Sequence, residues 1–399
     1  MRTPRRVLIV HDYQGVAGGA EIFVQDLRQA LLARGIDARI LASTARASHP
    51  DHAADFTFPG TTGPARAIPE MINPGAVAAL QRALRTFDPD VVHLSMFLTQ
   101  ASPAILPLLR RRPTLWWANE YRSICPTGTR LLPDRRRCAH EPGRVCAREG
   151  CLSMRGLVPR AVQLTLLRRW GSAIDRTLTP SRAMADEFEA RGWSVDAVLP
   201  HWVPAPSVQR ALSPTPVVAF AGRLDVTKGV DVLLPAFAGA IKGMPEARLL
   251  VLGDGPGGPT AHSLARELGI EGRTEFAGAS TREEVQRRLA AAWVQCVPSI
   301  WKEPFGLVVI EAQRRGTPVL ASAVGAFPEL IQEGETGFLV PPDDPGALEG
   351  ALLRMLGGGV DLAALGDAGR RRADARYSEE AVMPDLLDHY ASIIRSPVA

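Results

Sequence analysis

The sequence predicts an α/β protein made of two parallel-sheet domains in tandem. Three observations carry this: a first series of short apolar runs alternating with helical patterns, a second series starting at Val217, and a proline-rich stretch between them. Short apolar strands that alternate with helices read as a parallel sheet covered on both faces. With 399 residues the chain can give each domain its own core.

In the first series residues 7–10 form a strand, and residues 20–34 form a helix closed by Gly35 at a helix-ending position. Residues 38–41 form the next strand. The apolar runs at 91–94 and 114–117 follow, and Thr177-Leu178 leads to a helix over 181–190. Pro200, Pro204, Pro206, Pro214 and Pro216 mark a linker. The second series has strands at 217–221, 248–252, 274–277, 294–297, 319–321 and 338–340, with helices between them. The expected division is a first domain over 1–203, a linker over 204–216, a second domain over 217–376, and a last helix within 377–399. Two such domains imply a cleft between the carboxyl ends of their sheets, where ligands of open α/β sheets bind.

Net charge is +4, and nearly every basic residue is arginine. Lysine occurs only at Lys228, Lys242 and Lys302, so a lysine here points to its own chemistry, a compact charge with rotatable donors. The basic excess fits phosphate-bearing ligands or an anionic membrane surface. No 18-residue apolar run exists, and the run at 7–10 is too short for a signal peptide, so a cytoplasmic protein is expected.

The most informative stretch runs from Pro298 to Ser322. It holds Glu303 and Glu311, eight positions apart, with Pro304-Phe305-Gly306 between them as the expected helix start. A proline suits the first helical turn, and that turn offers free N–H groups and a partial positive charge to an anion. Glu303 would lie just outside the turn and Glu311 about two turns in, both facing one cleft. Two carboxylates around an anion site suit a ligand carrying hydroxyls and phosphates, such as a nucleotide sugar.

This segment resembles the Glu-x7-Glu motif of retaining glycosyltransferase family 4, a large family with the GT-B fold of two Rossmann-like domains facing across a cleft. Other segments in the same order carry the resemblance from about Phe220 to Asp344. Gly222-Arg223 with Lys228-Gly229 is similar to the family's G-R to K-G signature. Gly253-Asp254-Gly255-Pro256 is similar to its G-x-G-P loop. Gly325-Ala326-Phe327-Pro328-Glu329 is similar to G-G-x-P-E, with Ala326 at the second glycine, and a G-x-T-G turn follows at Gly334.

The resemblance implies a role for each matching residue. Arg223 and Lys228 would converge on the donor diphosphate, and charge-assisted contacts to phosphate are the stronger kind. Glu311 would hold the ribose hydroxyls, and Glu303 would lie by the transferred sugar. The N–H groups of Phe305, Gly306 and Leu307 would face the diphosphate, with the Gly253 loop close by. No catalytic metal is expected, because Arg223, Lys228 and the helix start neutralise the charge. The C-terminal helix would return to the first domain.

In the first domain Gly18 and Gly19 lie in a loop, Gly15 to Glu21, similar to the family's G-G-x-E loop near the donor. Residues 88–93 resemble a further family segment, and His93 equally fits a satisfied core histidine. Residues 117–126 resemble the family's H-D-Y-x3-C-P segment, but Asn119 stands at the histidine and Glu120 at the aspartate. An asparagine holds no proton or charge, though it can donate to a sugar hydroxyl. That departure bears on turnover, acceptor and sugar choice.

Cys125, Cys138, Cys146 and Cys151 fall within a polar, arginine-rich insert over 122–155. Four clustered thiols in a reducing compartment favour a metal over disulfides, and structural zinc on four thiolates is the first choice. Such a site can contribute ~10–16 kcal/mol of apparent binding energy to local folding. Disulfides, free thiols and an iron–sulfur cluster remain open. Cys296 ends a core strand and reads as simply buried.

Leu157, Val158, Ala161, Leu164 and Leu167 recur at helical spacing beside Arg160, Arg168 and Arg169, and residues 105–112 also mix apolar residues with arginine. Two readings are open: a helix lying on an anionic membrane, and a core-facing amphipathic helix.

The expected function is retaining transfer of a sugar from a UDP- or GDP-sugar to a hydroxyl or amine of a glycan, lipid-linked or natural-product acceptor, by front-side attack. A nucleotide-sugar epimerase on the same fold and a catalytically silent GT-B subunit are the rivals. No nucleic-acid partner is expected.

Overall fold

The computed structural model describes residues 3–15, 18–46, 53–62 and 67–394. The chain divides into two compact units, one of residues 1–201 with 382–399, the other of residues 202–381.

The first unit carries β1 (Arg6–Tyr13), β2 (Asp37–Ser43), β3 (Phe56–Phe58), β4 (Val91–Leu94), β5 (Thr114–Trp117), β6 (Arg176–Thr179) and β7 (Ala197–Val198). These make one parallel sheet in the order β3-β2-β1-β4-β5-β6-β7. Val7 to Val10 and the whole of β4 and β5 are buried, as expected of strands covered on both faces. The order reverses between β1 and β4, and at such a switch point the loops part and leave room for a ligand.

The second unit carries β8 (Val217–Ala221), β9 (Arg248–Leu252), β10 (Thr274–Phe276), β11 (Val294–Val297), β12 (Val319–Ser322) and β13 (Gly337–Val340). Its parallel sheet has the order β10-β9-β8-β11-β12-β13, with the switch point between β8 and β11. The loops after these two strands hold Arg223, Lys228 and Glu303.

Several helices start where a side chain can replace missing backbone partners. Asn73 accepts from the Ala76 N–H at 3.1 Å to open Pro74–Thr86, Ser181 caps Arg182–Glu189, and Asp344 caps Pro345–Leu356. Each such cap is worth ~1 kcal/mol. Asn73 does more, donating from Nδ2 to the Gln100 carbonyl at 2.7 Å and so tying its helix to the loop after β4.

Several boundaries differ from the expectation. β1 runs three residues past Val10, because His11, Asp12 and Tyr13 are polar or aromatic yet buried. The short strands β3 and β7 lie at the sheet's edges, where little apolar sequence is needed. The helix carrying Glu311 is Leu307–Arg315, so Pro304 stands outside it and Gly306 is the N-cap. The proline-rich stretch is no free tether. From Trp202 it belongs to the second unit, with the Ala211 and Ser213 N–H groups donating to the Ala290 and Ala291 carbonyls at 2.9 and 3.1 Å.

The last helix, Glu379–Ile393, ends on the first unit. Its Tyr390 hydroxyl lies 2.7 Å from His93 Nδ1, and Arg176 donates to His389 Nδ1 at 2.8 Å. His93 is buried and its pKa is lowered to about 3, chiefly by burial. It is a satisfied core histidine.

Candidate functional site

At the switch point of the second unit, Lys228 Nζ donates to Glu303 Oε1 at 2.6 Å, and Ser299 Oγ donates to the same oxygen at 2.8 Å. Glu303 is 5% exposed, whereas the Lys228 side chain is 26% exposed and reaches over the Trp301 ring at 5.3 Å. The pair is built by two loops. Lys228 ends a short 3-10 turn capped by Asp225, which accepts from the Thr227 N–H at 2.9 Å. The Ile300 N–H donates to the Thr227 carbonyl at 2.9 Å, joining the loop after β8 to the loop after β11.

Glycines set how closely these loops approach. A side chain on Gly229 would meet the Pro298 carbonyl oxygen at 2.0 Å, and one on Gly253 would meet the Gly222 carbonyl oxygen at 1.9 Å. Gly325 has φ 52°, and a Cβ there would lie 2.3 Å from the Glu303 carbonyl oxygen. Only glycine fits such a contact at such a φ. The neighbouring Ala326 has φ −77° and needs no glycine, which explains how alanine stands where the family pattern has its second glycine. The Ala326 N–H donates to the Glu303 carbonyl at 3.1 Å, so this loop fixes the backbone under the carboxylate.

Arg223 and Lys228 do not meet the same partner. Arg223 is 63% exposed at its side chain and bonds Asp225. Glu311, in the helix Leu307–Arg315, lies 3.8 Å from Arg282 Nη2. That helix is anchored from behind by fully buried Arg315, which donates to Gln286 at 2.7 Å and Gln295 at 2.6 Å. Phe305 is buried, and Gly306 has φ 114°, where an added Cβ would lie 2.5 Å from Phe327 Cε1.

In the first unit the ends of β1, β4 and β5 form a different environment. Asn119 Nδ2 donates to Ser95 Oγ at 2.7 Å, and His11 Nδ1 lies 3.2 Å from the same hydroxyl. A hydroxyl that accepts from Asn119 can donate to His11 Nδ1, which leaves the imidazole proton on Nε2. His11 Nε2, Asn119 Oδ1 and Glu120 Oε1 are buried without partners. Burial first, then Arg46, lowers the His11 pKa to about 3. Burial pushes the Glu120 carboxyl up to about 7, against the pull of Arg122, whose Nε lies 3.4 Å from Oε2. Asp12 beneath is spent on structure, accepting from the Thr99, Gln100 and Ala101 N–H groups at 2.7–3.0 Å.

Glu120, His11 and Ser95 were not among the expected site residues. They come from three strand ends, so no spacing along the chain links them. The available signal was polar residues directly after apolar strands. Gly18 is the N-cap of Gly19–Ala33, and Glu21 in the first turn pairs with Arg46 at 3.2 Å. The same loop's Val16 and Ala17 lie outside the described residues.

All four cysteines of the insert line one small cavity with Arg130. The helix Met154–Trp170 turns a largely polar face inward, burying Arg160, Gln163 and Leu167. Arg160 pairs with Glu70 at 2.8 Å, and Gln163 donates to the Glu70 and Leu98 carbonyls at 2.6 Å. Its apolar Met154 and Val158 are 68% and 65% exposed, so the core-facing apolar reading is corrected. No helix among the described residues is long and apolar enough to cross a membrane.

Residues 17–205 match the family model described as Glycosyltransferase Family 4, and residues 207–372 match Glycosyl transferases group 1. The chain is 43% identical over 146 residues to a D-inositol 3-phosphate glycosyltransferase of Corynebacterium efficiens, covering 35% of this chain and 34% of that protein. Its counterpart in Mycobacteroides abscessus is 39% identical over 187 residues, 45% of this chain and 40% of that protein. The chain thus spans well under half the length of these relatives. Among solved structures, sucrose-phosphate synthase from Thermosynechococcus elongatus superposes with a TM-score of 0.75 at 24% identity, covering 98% of this chain and 99% of that one. HepE of Anabaena, in complex with UDP and glucose, gives 0.71 at 20% identity, covering 97% and 99%. The chain has the GT-B fold, and both of its domains match glycosyltransferase families.

Proposed function

We propose that this GT-B chain is a retaining glycosyltransferase that moves a sugar from a UDP- or GDP-sugar to a hydroxyl or amine acceptor. The observation that carries the reading is the Lys228–Glu303 pair, 2.6 Å apart at the switch point of the second unit. A lysine has three donors, so Lys228 can hold Glu303 and still donate to a diphosphate. Its partial exposure leaves that face open to a ligand.

The roles follow from the groups. The bond between the anomeric carbon and the diphosphate oxygen breaks as the acceptor oxygen bonds to the same face of that carbon. The acceptor's proton passes to the departing diphosphate. Negative charge grows on that leaving group, where Lys228, Arg223 and the start of the helix Leu307–Arg315 stabilise it. Glu303 orients hydroxyls of the transferred sugar, and Glu311 holds the ribose. The glycine contacts of Gly229, Gly253 and Gly325 keep these groups in place.

The acceptor belongs to the first unit. His11 Nε2, Asn119 Oδ1 and Glu120 offer a donor, an acceptor and a titratable oxygen to a polyhydroxyl compound, whether free glycan, lipid-linked or natural product. The relatives named as D-inositol 3-phosphate glycosyltransferases make a phosphorylated polyol the first compound to try. Exposed Met154 and Val158 beside exposed Arg155, Arg168 and Arg169 support peripheral contact with an anionic membrane. Sedimentation with anionic vesicles at low salt tests it, and no binding there removes it.

The deciding experiment is a thermal-shift panel of nucleoside diphosphates and their sugars, followed by product analysis with and without acceptors. Stabilisation by one nucleotide family and acceptor-dependent transfer support the reading. Donor consumed without acceptor and converted to another nucleotide sugar favours the epimerase. Asn119 at the family's histidine position favours a silent subunit, and binding without turnover of any donor would establish that instead.

A further inference from the structure

We propose that the insert of the first unit holds one structural zinc ion on the thiolates of Cys125, Cys138, Cys146 and Cys151, with Arg130 as its charge partner. The four cysteines come from three separate turns and line one cavity of about 10 Å³, the size of a single small occupant. Cys125 follows a turn in which its N–H donates to the Tyr121 carbonyl at 2.7 Å. Cys138 closes a small hairpin, its N–H donating to the Arg130 carbonyl at 2.9 Å beside the Leu131–Arg137 bridge. Cys146 lies in the short helix Val145–Arg148, and the Leu152 N–H donates to its carbonyl at 3.0 Å, folding Cys151 back toward it.

A second observation points into the same cavity. Arg130 is 1% exposed, a burial that a charged side chain rarely tolerates without an anion. Its Nη1 donates to Cys138 Sγ at 3.8 Å and to the His140 carbonyl at 2.9 Å, while Nη2 is buried with no partner. Its carboxylate, Glu187 at 3.1 Å, is shared with Arg191 at 2.8 Å. Arg191 also reaches the exposed Glu141 carboxylate at 3.9 Å, while Arg130 Nη2 stays buried without an acceptor. A zinc ion on four thiolates carries a net charge of minus two and supplies the missing anion.

Zinc suits the donor set better than its rivals. Four sulfurs are the closed tetrahedral set of structural zinc, and zinc brings no redox chemistry. All five cysteines are free thiols in the structure. On binding, four S–H bonds break, four Zn–S bonds form, and four protons pass to solvent. Among the described residues no three His, Cys, Asp or Glu side chains already stand as a metal site, so binding requires the thiols to turn inward. Cys125, whose Sγ now lies 3.2 Å from Thr127 Oγ1, is one that must turn.

The test uses the full chain purified without chelator. Elemental analysis is expected to find about one zinc per chain, and cobalt substitution to give an intense thiolate-to-metal charge-transfer band. Cys138→Ser should lose metal to a competing chelator at least tenfold faster than the parent. Arg130→Met, which removes no sulfur, should also speed the loss. The parent's metal content does not depend on either variant folding. Metal-free protein with four freely titrating thiols overturns the proposal. So does a mass lower by two hydrogens per cysteine pair, or the visible absorption of an iron–sulfur cluster.

Discussion

The two switch points of this molecule solve opposite problems. In the second unit the charged groups are paired and partly exposed: Lys228 bonds Glu303, and Arg223 bonds Asp225. In the first unit the polar groups are buried and their charges suppressed, with His11 at about 3 and Glu120 at about 7. One Rossmann-like frame can thus present either a charged cradle or a neutral polar hollow. What differs is whether glycines bring loop backbones close together, or polar side chains face one another with little exposure.

The largest effect is expected at Lys228. Lys228→Ala is expected to lower turnover by about 10²–10³, the effect of removing one donor aimed at developing charge. Steady-state transfer rates with the identified donor check it, and a loss under tenfold would place the lysine outside the machinery. Glu311→Ala comes next, with donor affinity reduced about 10- to 100-fold by the loss of a charged hydrogen-bond acceptor. Arg223→Ala is its counterpart, expected to reduce turnover far more than donor affinity. Calorimetric titration of the nucleotide beside kinetics tells the two apart, and equal, mild effects from both would count against these roles.

A smaller effect sharpens the first-unit side. Glu120 keeps its proton in the folded chain to about pH 7, against an ordinary 4.5. Between those values the folded chain binds the proton that the unfolded chain has lost. Stability therefore falls as pH rises across that window, and the full penalty stands above it. Glu120→Gln should cancel the penalty, raising stability by about 1–3 kcal/mol more at pH 8 than at pH 4. Parallel melting profiles for parent and variant would contradict this. The smallest expected change is Ala326→Gly. With φ −77° the site needs no glycine, so it should lose about 0.5–1 kcal/mol and leave donor binding unchanged.

Much of the fold was legible. Residues 91–94, 114–117, 217–221, 248–252 and 294–297 are strands as expected, because a strand buried on both faces must be written as an unbroken apolar run. What stayed hidden depended on tertiary contact. β3 and β7 are edge strands of three and two residues, too short to leave a pattern. The helix after Glu303 begins at Leu307 rather than Pro304, because Gly306 with φ 114° sets the turn. Lys228 and Glu303 were legible because each stands in a short contiguous segment with its own pattern, although 75 positions separate them. In the first-unit hollow only Asn119 and Glu120 stood in a readable segment, since Ser95 lies 24 positions from Asn119 and 84 from His11.

Gly325 touching the main chain of Glu303 has a consequence for anyone who would recombine these proteins. The segment around residue 303 cannot be exchanged alone for that of a distant homologue. Its shape is moulded on a loop more than twenty positions downstream, and a bulkier residue there would push the carboxylate off its lysine. A chimera meant to acquire a new sugar preference must carry both pieces as one cassette, with β12 between them left as the spacer.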